Sequence, residues 1–197
     1  MWDKCLTMSA HVSKVSQTCG FQLHNLRHIS AYLTPEALAT LVHAFITSRL
    51  DYSNGILYNI TSAELKRLQH IQNMAARLIT KSSIYSHITP VLKQLHWLPV
   101  AYRIEYKILL YVHKCLHGAA PQYLKKDIVK HAPSRPLRSG SLELVVVPRT
   151  NLKLGERSFS YSGPHLWNQL PLDLRGISKT PVFKVKLKTH LFNRCYN

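Results

Sequence analysis

The sequence predicts a mainly α fold, with a helical bundle over residues 1–130. A small basic α+β region over 131–197 follows, holding a β-hairpin and closing on a C-terminal helix. Three observations predict this. Apolar residues recur at helical spacing through the first two thirds of the chain. A Thr-Pro helix start recurs three times, at Thr34, Thr89 and Thr180. After His131 the composition shifts to Pro, Ser and Arg and then to a β-branched run.

Taken in order, "HVSKVSQTCGFQLHNLRHIS" reads as a helix with Gly20 as its weak point. "LTPEALATLVHAFITSRL" takes Thr34 as N-cap, Pro35 as first helical residue and Glu36 in the first turn. Leu38, Leu41, Val42 and Phe45 then share one face. In "SRLDYSNGILYNI" the chain turns, and Asn54-Gly55 supplies residues that tolerate positive φ. Asp51 there caps the next turn or pairs with a nearby arginine. "ITSAELKRLQHIQNMAARLI" opens with a capping box of Thr61 and Glu64. Its apolar spacing leaves Lys66, Arg67, His70 and Arg77 on the opposite face. "ITPVLKQLHWLP" gives a short helix started by Thr89 and Pro90. "PVAYRIEYKILLYVHKCLHG" runs from Pro99 to a C-cap at Gly118, and "APQYLKKDIVKH" is a further short helix. "APSRPLRSGS" is a loop, and "LELVVVPRTNLKLGERSFSY" suggests the two strands of the hairpin. "GPHLWNQLPLDLRG" is a short helical or turn segment. "TPVFKVKLKTHLF" ends the chain as a helix, with Phe183, Leu187, Leu191 and Phe192 inward and Lys184, Lys186 and Lys188 outward.

The chain has 197 residues and 46% apolar content, enough to bury a core. Against 26 Lys and Arg it has 9 Asp and Glu, a net charge of +17. Such a field attracts polyanions, nucleic acid first among them and an acidic membrane surface second. The charge is denser towards the C-terminus. From Lys130 onward there are 12 basic and 3 acidic residues, against 14 and 6 over residues 1–129. Four cysteines without a CxxC, and no secretory signal, read as reduced thiols of an intracellular protein, nuclear or cytoplasmic. The longest apolar runs are too short to cross a bilayer, so no membrane partner is expected.

Enzymatic chemistry finds little footing. A two-metal polymerase or nuclease site needs clustered carboxylates, yet no two acids are adjacent and no DxD or ExE occurs. "HKCLH" places His113 and His117 at i and i+4, a zinc-compatible spacing, but the glutamate of HExxH is missing. A helix-surface or phosphate-facing role suits that pair better. There is no GxSxG elbow, and the seven glycines stand singly. Basic residues interleaved with aromatics are the strongest signal. Arg135 and Arg138, then Arg149, Lys153 and Arg157, lie near Phe159, Tyr161 and Trp167. Cations neutralise phosphates without reading sequence, and aromatics stack on unpaired bases. Phe159 and Trp167 read better as core anchors, whereas the collective charge reads as binding.

Several strings taken together, "SRLDYSNGILY", "LKRLQHIQNMAARLI", "HITPVLKQLHWLPVAYRIEYKILLYVHKCLHGAAPQYL", "PSRPLRSG", "VPRTNLKLGERSFSYSGPHLWNQLPLDLR" and "FKVKLKTHLF", occur in this order. They resemble the C-terminal, thumb and post-thumb, portion of reverse transcriptases from non-LTR (LINE-type) retrotransposons of the jockey-like and chicken-repeat-like kinds. The resemblance covers nearly the whole chain. One departure is Ser53, where that family commonly has cysteine. The family keeps its metal-binding aspartates in an aromatic-x-Asp-Asp motif of the palm, which is absent here. The resemblance therefore implies a thumb-like bundle and basic extension of an RNA-directed DNA polymerase, without catalytic residues or a metal site of its own. The Mg²⁺ of such a polymerase would belong to the palm. The partners implied are RNA or an RNA–DNA hybrid, gripped by backbone, and the missing palm and fingers. The binding candidates are Lys66, Arg67 and Arg77 in the thumb-like helix, with Arg135, Arg138, Arg149, Lys153 and Arg157 beyond it. Asp51, Asn54 and Gly55 form a structural turn. The alternative is a decayed or domesticated, non-catalytic protein-interaction module.

Overall fold

Capping chemistry sets where the helices begin. In the computed structural model, which describes residues 8–131 and 143–197, helix α1 spans Ser9–Ile29. Thr34 caps α2 (Pro35–Val42), its hydroxyl accepting from Ala37 N at 3.2 Å. After a π-helical stretch, His43–Thr47, the chain forms α3 (Ser48–Asp51). Thr61 and Glu64 form both halves of the expected capping box at the head of α4 (Ser62–Thr80). Helix α5 (Ile88–Gln94) is capped by His87, whose Nδ1 accepts from Thr89 N at 3.4 Å. The Thr-Pro pair thus lies inside the first turn, two residues later than the motif predicts. Then come α6 (Val100–Leu116), α7 (Gln122–Lys125), α8 (Phe159–Asn168), α9 (Leu172–Arg175) and α10 (Thr180–Tyr196). The fold is mainly helical.

Packing divides the chain into two compact units, one of Met1–Arg103 with Cys195–Asn197, the other of Ile104–Arg194. In the first unit α1 and α4 run side by side. Ser9 Oγ donates to Glu64 and, one turn on, Arg67 Nη1 donates to Ser13 Oγ at 3.1 Å. Val12, Cys19, Leu23 and Leu26 of α1 are buried, as are Leu68, Ile71, Ala75 and Ala76 of α4. The π-helical stretch alters the expected face of α2. Leu38 and Val42 are buried, but Ile46 and Leu50 follow them, while Phe45 is 38% exposed. Ser48 N–H reaches back five residues to His43 O. The wider turn takes up one extra residue, so a spacing of four stays on the core side. Glutamines finish the unit's backbone pairing. Gln72 Nε2 donates to Leu98 O at 2.8 Å, and Gln69 Oε1 accepts from Val100 N at 2.9 Å. The second bond satisfies an amide that no helical carbonyl can reach at the head of α6.

In the second unit Ile108, Leu109 and Val112 of α6, Leu166 and Trp167 of α8, and Phe183, Leu187 and Leu191 of α10 are buried. The inward set expected for the last helix is thus buried, except that Phe192 is half-exposed, and Lys184, Lys186 and Lys188 are exposed. Gly163 lets α8 approach closely, since a Cβ there would lie 2.8 Å from Val112 Cγ2. The helix also runs through Pro164 rather than starting at it.

The expected β-hairpin does not form. Among the described residues there is a single antiparallel bridge, Lys130 with Val145, and no strand. His131 N donates to Leu144 O at 2.9 Å and Val146 N to Val129 O at 2.8 Å. On its other side Val145 is bracketed by one side chain. Its N–H donates to Asn168 Oδ1 at 3.0 Å and its carbonyl accepts from Asn168 Nδ2 at 2.8 Å. Trp167 Nε1 donates to Glu143 O at 3.0 Å. Helix side chains meet backbone groups that a second strand would otherwise pair, and a propensity for strand is overridden by these contacts. The would-be second strand is instead a 3₁₀ turn, Gly155–Arg157, leading into α8.

Candidate nucleic-acid interface

Lys66, Arg67 and His70 stand exposed on one face of α4, opposite its buried stripe. Arg67 is exposed, with its Nη1 tethered to Ser13 of α1. Arg77 sits on the same helix but is committed elsewhere. Its Nε donates to Ser83 O at 3.3 Å and its Nη2 to Ser86 O at 3.1 Å. These bonds, with Ser86 Oγ to Ser83 O at 2.6 Å, tie down the loop between α4 and α5. That loop carries Ile84 and Tyr85, 66% and 92% exposed. Among the C-terminal candidates Arg149 and Lys153 are exposed and Arg157 is half-buried. Arg135 and Arg138 lie outside the described residues. Trp167 is buried, as expected of a core anchor, whereas Phe159 is half-buried.

Asp51 belongs to a clamp. Arg103 Nε donates to its Oδ1 at 2.8 Å, and Arg103 Nη2 donates to its Oδ2. Asn54 Nδ2 also approaches Oδ1, at 3.4 Å. The bidentate fork matches carboxylate geometry and fixes orientation as well as charge. The turn beyond differs from expectation. Ser53 takes the left-handed conformation, φ 51°, while Asn54 and Gly55 open a 3₁₀ turn, Asn54–Leu57, at ordinary negative φ.

The HKCLH pair also corrects expectation. His117 is exposed, but His113 is fully buried. Its Nε2 lies 2.7 Å from Ile177 O, so that nitrogen carries the proton and donates. Its ring stacks on Phe183, centroids 4.1 Å apart and planes 16° from parallel. Burial holds its pKa below the ordinary histidine value, and the neighbouring His117 adds to this. It is a core histidine. Cys19 and Cys115 are free thiols. Burial pushes Cys19 and Cys115 up, away from thiolate reactivity.

One feature escaped the motif reading. Arg175 is buried, and its Nε and Nη1 find no hydrogen-bond partner among the described residues. Lys179, Lys184, Lys186 and Lys188 bring four exposed cations to the start of α10. The periodicity of the last helix announced three of them. Arg175 gave no signal, because arginines near helix ends are normally solvated. Among the described residues, no three of His, Cys, Asp and Glu come together as a metal ion would need. No described helix is long and apolar enough to cross a membrane. No family model, curated protein or solved structure matches the chain.

Proposed function

We propose that this chain is a non-catalytic nucleic-acid-binding element, the thumb and basic extension of a LINE-type reverse transcriptase, which grips RNA or an RNA–DNA hybrid by its backbone. The observation that carries this reading is the charge of +17, displayed in clusters rather than neutralised by carboxylates. Lys66, Arg67 and His70 share the open face of α4, and Lys179, Lys184, Lys186 and Lys188 gather at the start of α10. The ion pairs of Arg103 with Asp51 and of Arg194 with Glu105 lie outside both clusters. Backbone contacts of this kind release counterions, so binding is sequence-tolerant and falls steeply with salt. The ordered motifs that resemble those of the retrotransposon polymerases support the same reading. In this reading the polymerase's Mg²⁺ belongs to the palm, and no chemical step is assigned to this chain.

Filter binding to an RNA–DNA hybrid at low and high salt tests the proposal. Tight binding at low salt that weakens as salt rises is expected, with no polymerisation or cleavage. Binding that is absent at low salt, or indifferent to salt, refutes it. A second reading, a domesticated protein-interaction module, has the exposed Phe21, Tyr32, Ile84 and Tyr85 in its favour. A monodisperse monomer by light scattering counts against its self-associating form.

A further inference from the structure

A groove of about 630 Å³ opens in the first unit between α1 and the end of α3. Its volume lies within the roughly 300–1,000 Å³ of small-ligand sites. From α1 it takes His11, Lys14 and Thr18, and from the other wall Ser48, Arg49 and Tyr52. Among the described residues no carboxylate lines it. Arg49 also stands close enough to α1 for its charge to oppose, in part, the burial that raises the Cys19 thiol. The two hydroxyls already donate, Thr18 to Lys14 O at 2.9 Å and Ser48 to Ala44 O. They therefore offer acceptor lone pairs only. Tyr52 is 74% exposed, an aromatic face beside cations rather than a core residue.

We infer that this groove receives one unpaired nucleotide of a nucleic-acid strand, its phosphate held by Lys14 and Arg49 and its base stacked on Tyr52. The chemistry divides cleanly. Lys14 and Arg49 supply N–H donors to an anion, and a ring at the groove's edge supplies a sequence-tolerant stacking surface. The hydroxyl oxygens accept from base amino groups. A duplex keeps its bases covered and has no flat face to place there, so an unpaired strand is the occupant. The clamp described above then acquires a purpose. Asp51 is gripped by Arg103, and Ser53 takes its left-handed turn, on either side of Tyr52. The ring is thus presented from backbone fixed on both flanks, which lowers the ordering cost of binding. Asp51 is a positioning residue.

This inference rests on the proposed nucleic-acid binding, and one experiment separates the two. Fluorescence anisotropy of the full chain is measured with labelled oligouridine and, separately, with a blunt RNA–DNA hybrid. Tyr52→Ala is expected to weaken oligouridine binding about five- to 150-fold, the range found when a stacking aromatic is truncated. Tyr52→Phe keeps wild-type affinity, and the hybrid is little affected by either change. Lys14→Gln combined with Arg49→Gln lowers the salt slope for oligouridine by about 0.7, the share of one phosphate. Circular dichroism checks that the variants fold. Unchanged oligouridine binding in Tyr52→Ala overturns the groove and leaves backbone binding intact. So does equal loss on both nucleic acids. A wild-type chain that binds neither nucleic acid overturns both readings.

Discussion

Two helical glycines should respond to the same substitution with opposite signs. Gly20, in α1, has nothing within 4 Å of where a Cβ would stand. Gly20→Ala therefore gains the helix preference of alanine, about 0.5–1 kcal/mol, with no steric cost. Gly163, in α8, is buried, and its Cβ would lie 2.8 Å from Val112 Cγ2, 3.3 Å from Ile128 Cδ1 and 3.4 Å from Phe159 Cε2. Val112 is fully buried and branched at Cβ, so its methyl cannot swing aside. Inserting a methyl into such a site costs about 1–3 kcal/mol. Set against the same helix gain, the net effect is a loss of about 1 kcal/mol. Urea unfolding followed by circular dichroism measures both, and melting points should move by about 2–4 °C per kcal/mol, in opposite directions. A Gly163→Ala protein as stable as the parent refutes the claim that close approach of α8 to α6 selects glycine there. A Gly20→Ala protein that loses stability refutes the reading of α1 as an open, regular helix.

Asp51→Asn should cost about 1–2 kcal/mol, since it removes one charge of a half-exposed, bidentate pair. A double-mutant cycle with Arg103→Met measures the coupling, and additivity would count against the clamp. Lys66→Gln with Arg67→Gln should reduce the salt slope of hybrid binding by about 2, at roughly 0.9 per phosphate contact. Arg77→Gln should lower stability and leave that slope alone, because its guanidinium holds Ser83 and Ser86. Protonation offers a further test. Burial lowers the pKa of His113 from its ordinary 6.5. Below that value the unfolded chain takes a proton that the folded chain refuses, so stability falls as pH drops through 6.5 and is complete above it. Unfolding at pH 7.5 and 6 should show this fall, reduced in His113→Gln. His190, whose pKa burial also lowers, supplies part of the remainder. Stability that is flat or rising on acidification across that window would refute the assignment.

The helix heads at Thr34 and Thr61 are legible in the sequence because a capping bond spans three residues, and the stripe on α4 because it repeats within one helix. The net charge and its crowding towards the C-terminus are equally legible, as sums over residue types. What escapes such reading depends on partners distant in sequence. Asp51 finds Arg103 from 52 residues away, and His113 finds the carbonyl of Ile177 from 64. Nothing in the spacing of HKCLH distinguishes a surface pair from one buried and one exposed ring. Asn168 pairs with Val145 and so replaces the strand that a β-branched run had suggested. Arg77 has the residue type and helix face of a phosphate contact, yet the loop nine residues on takes its donors. The sequence by itself determined helix starts, amphipathic faces and the net positive charge, because these follow from local bonding and composition. Only the tertiary structure decided which cations stay open to a ligand and which serve as struts, because that depends on which buried carbonyls and carboxylates need a donor.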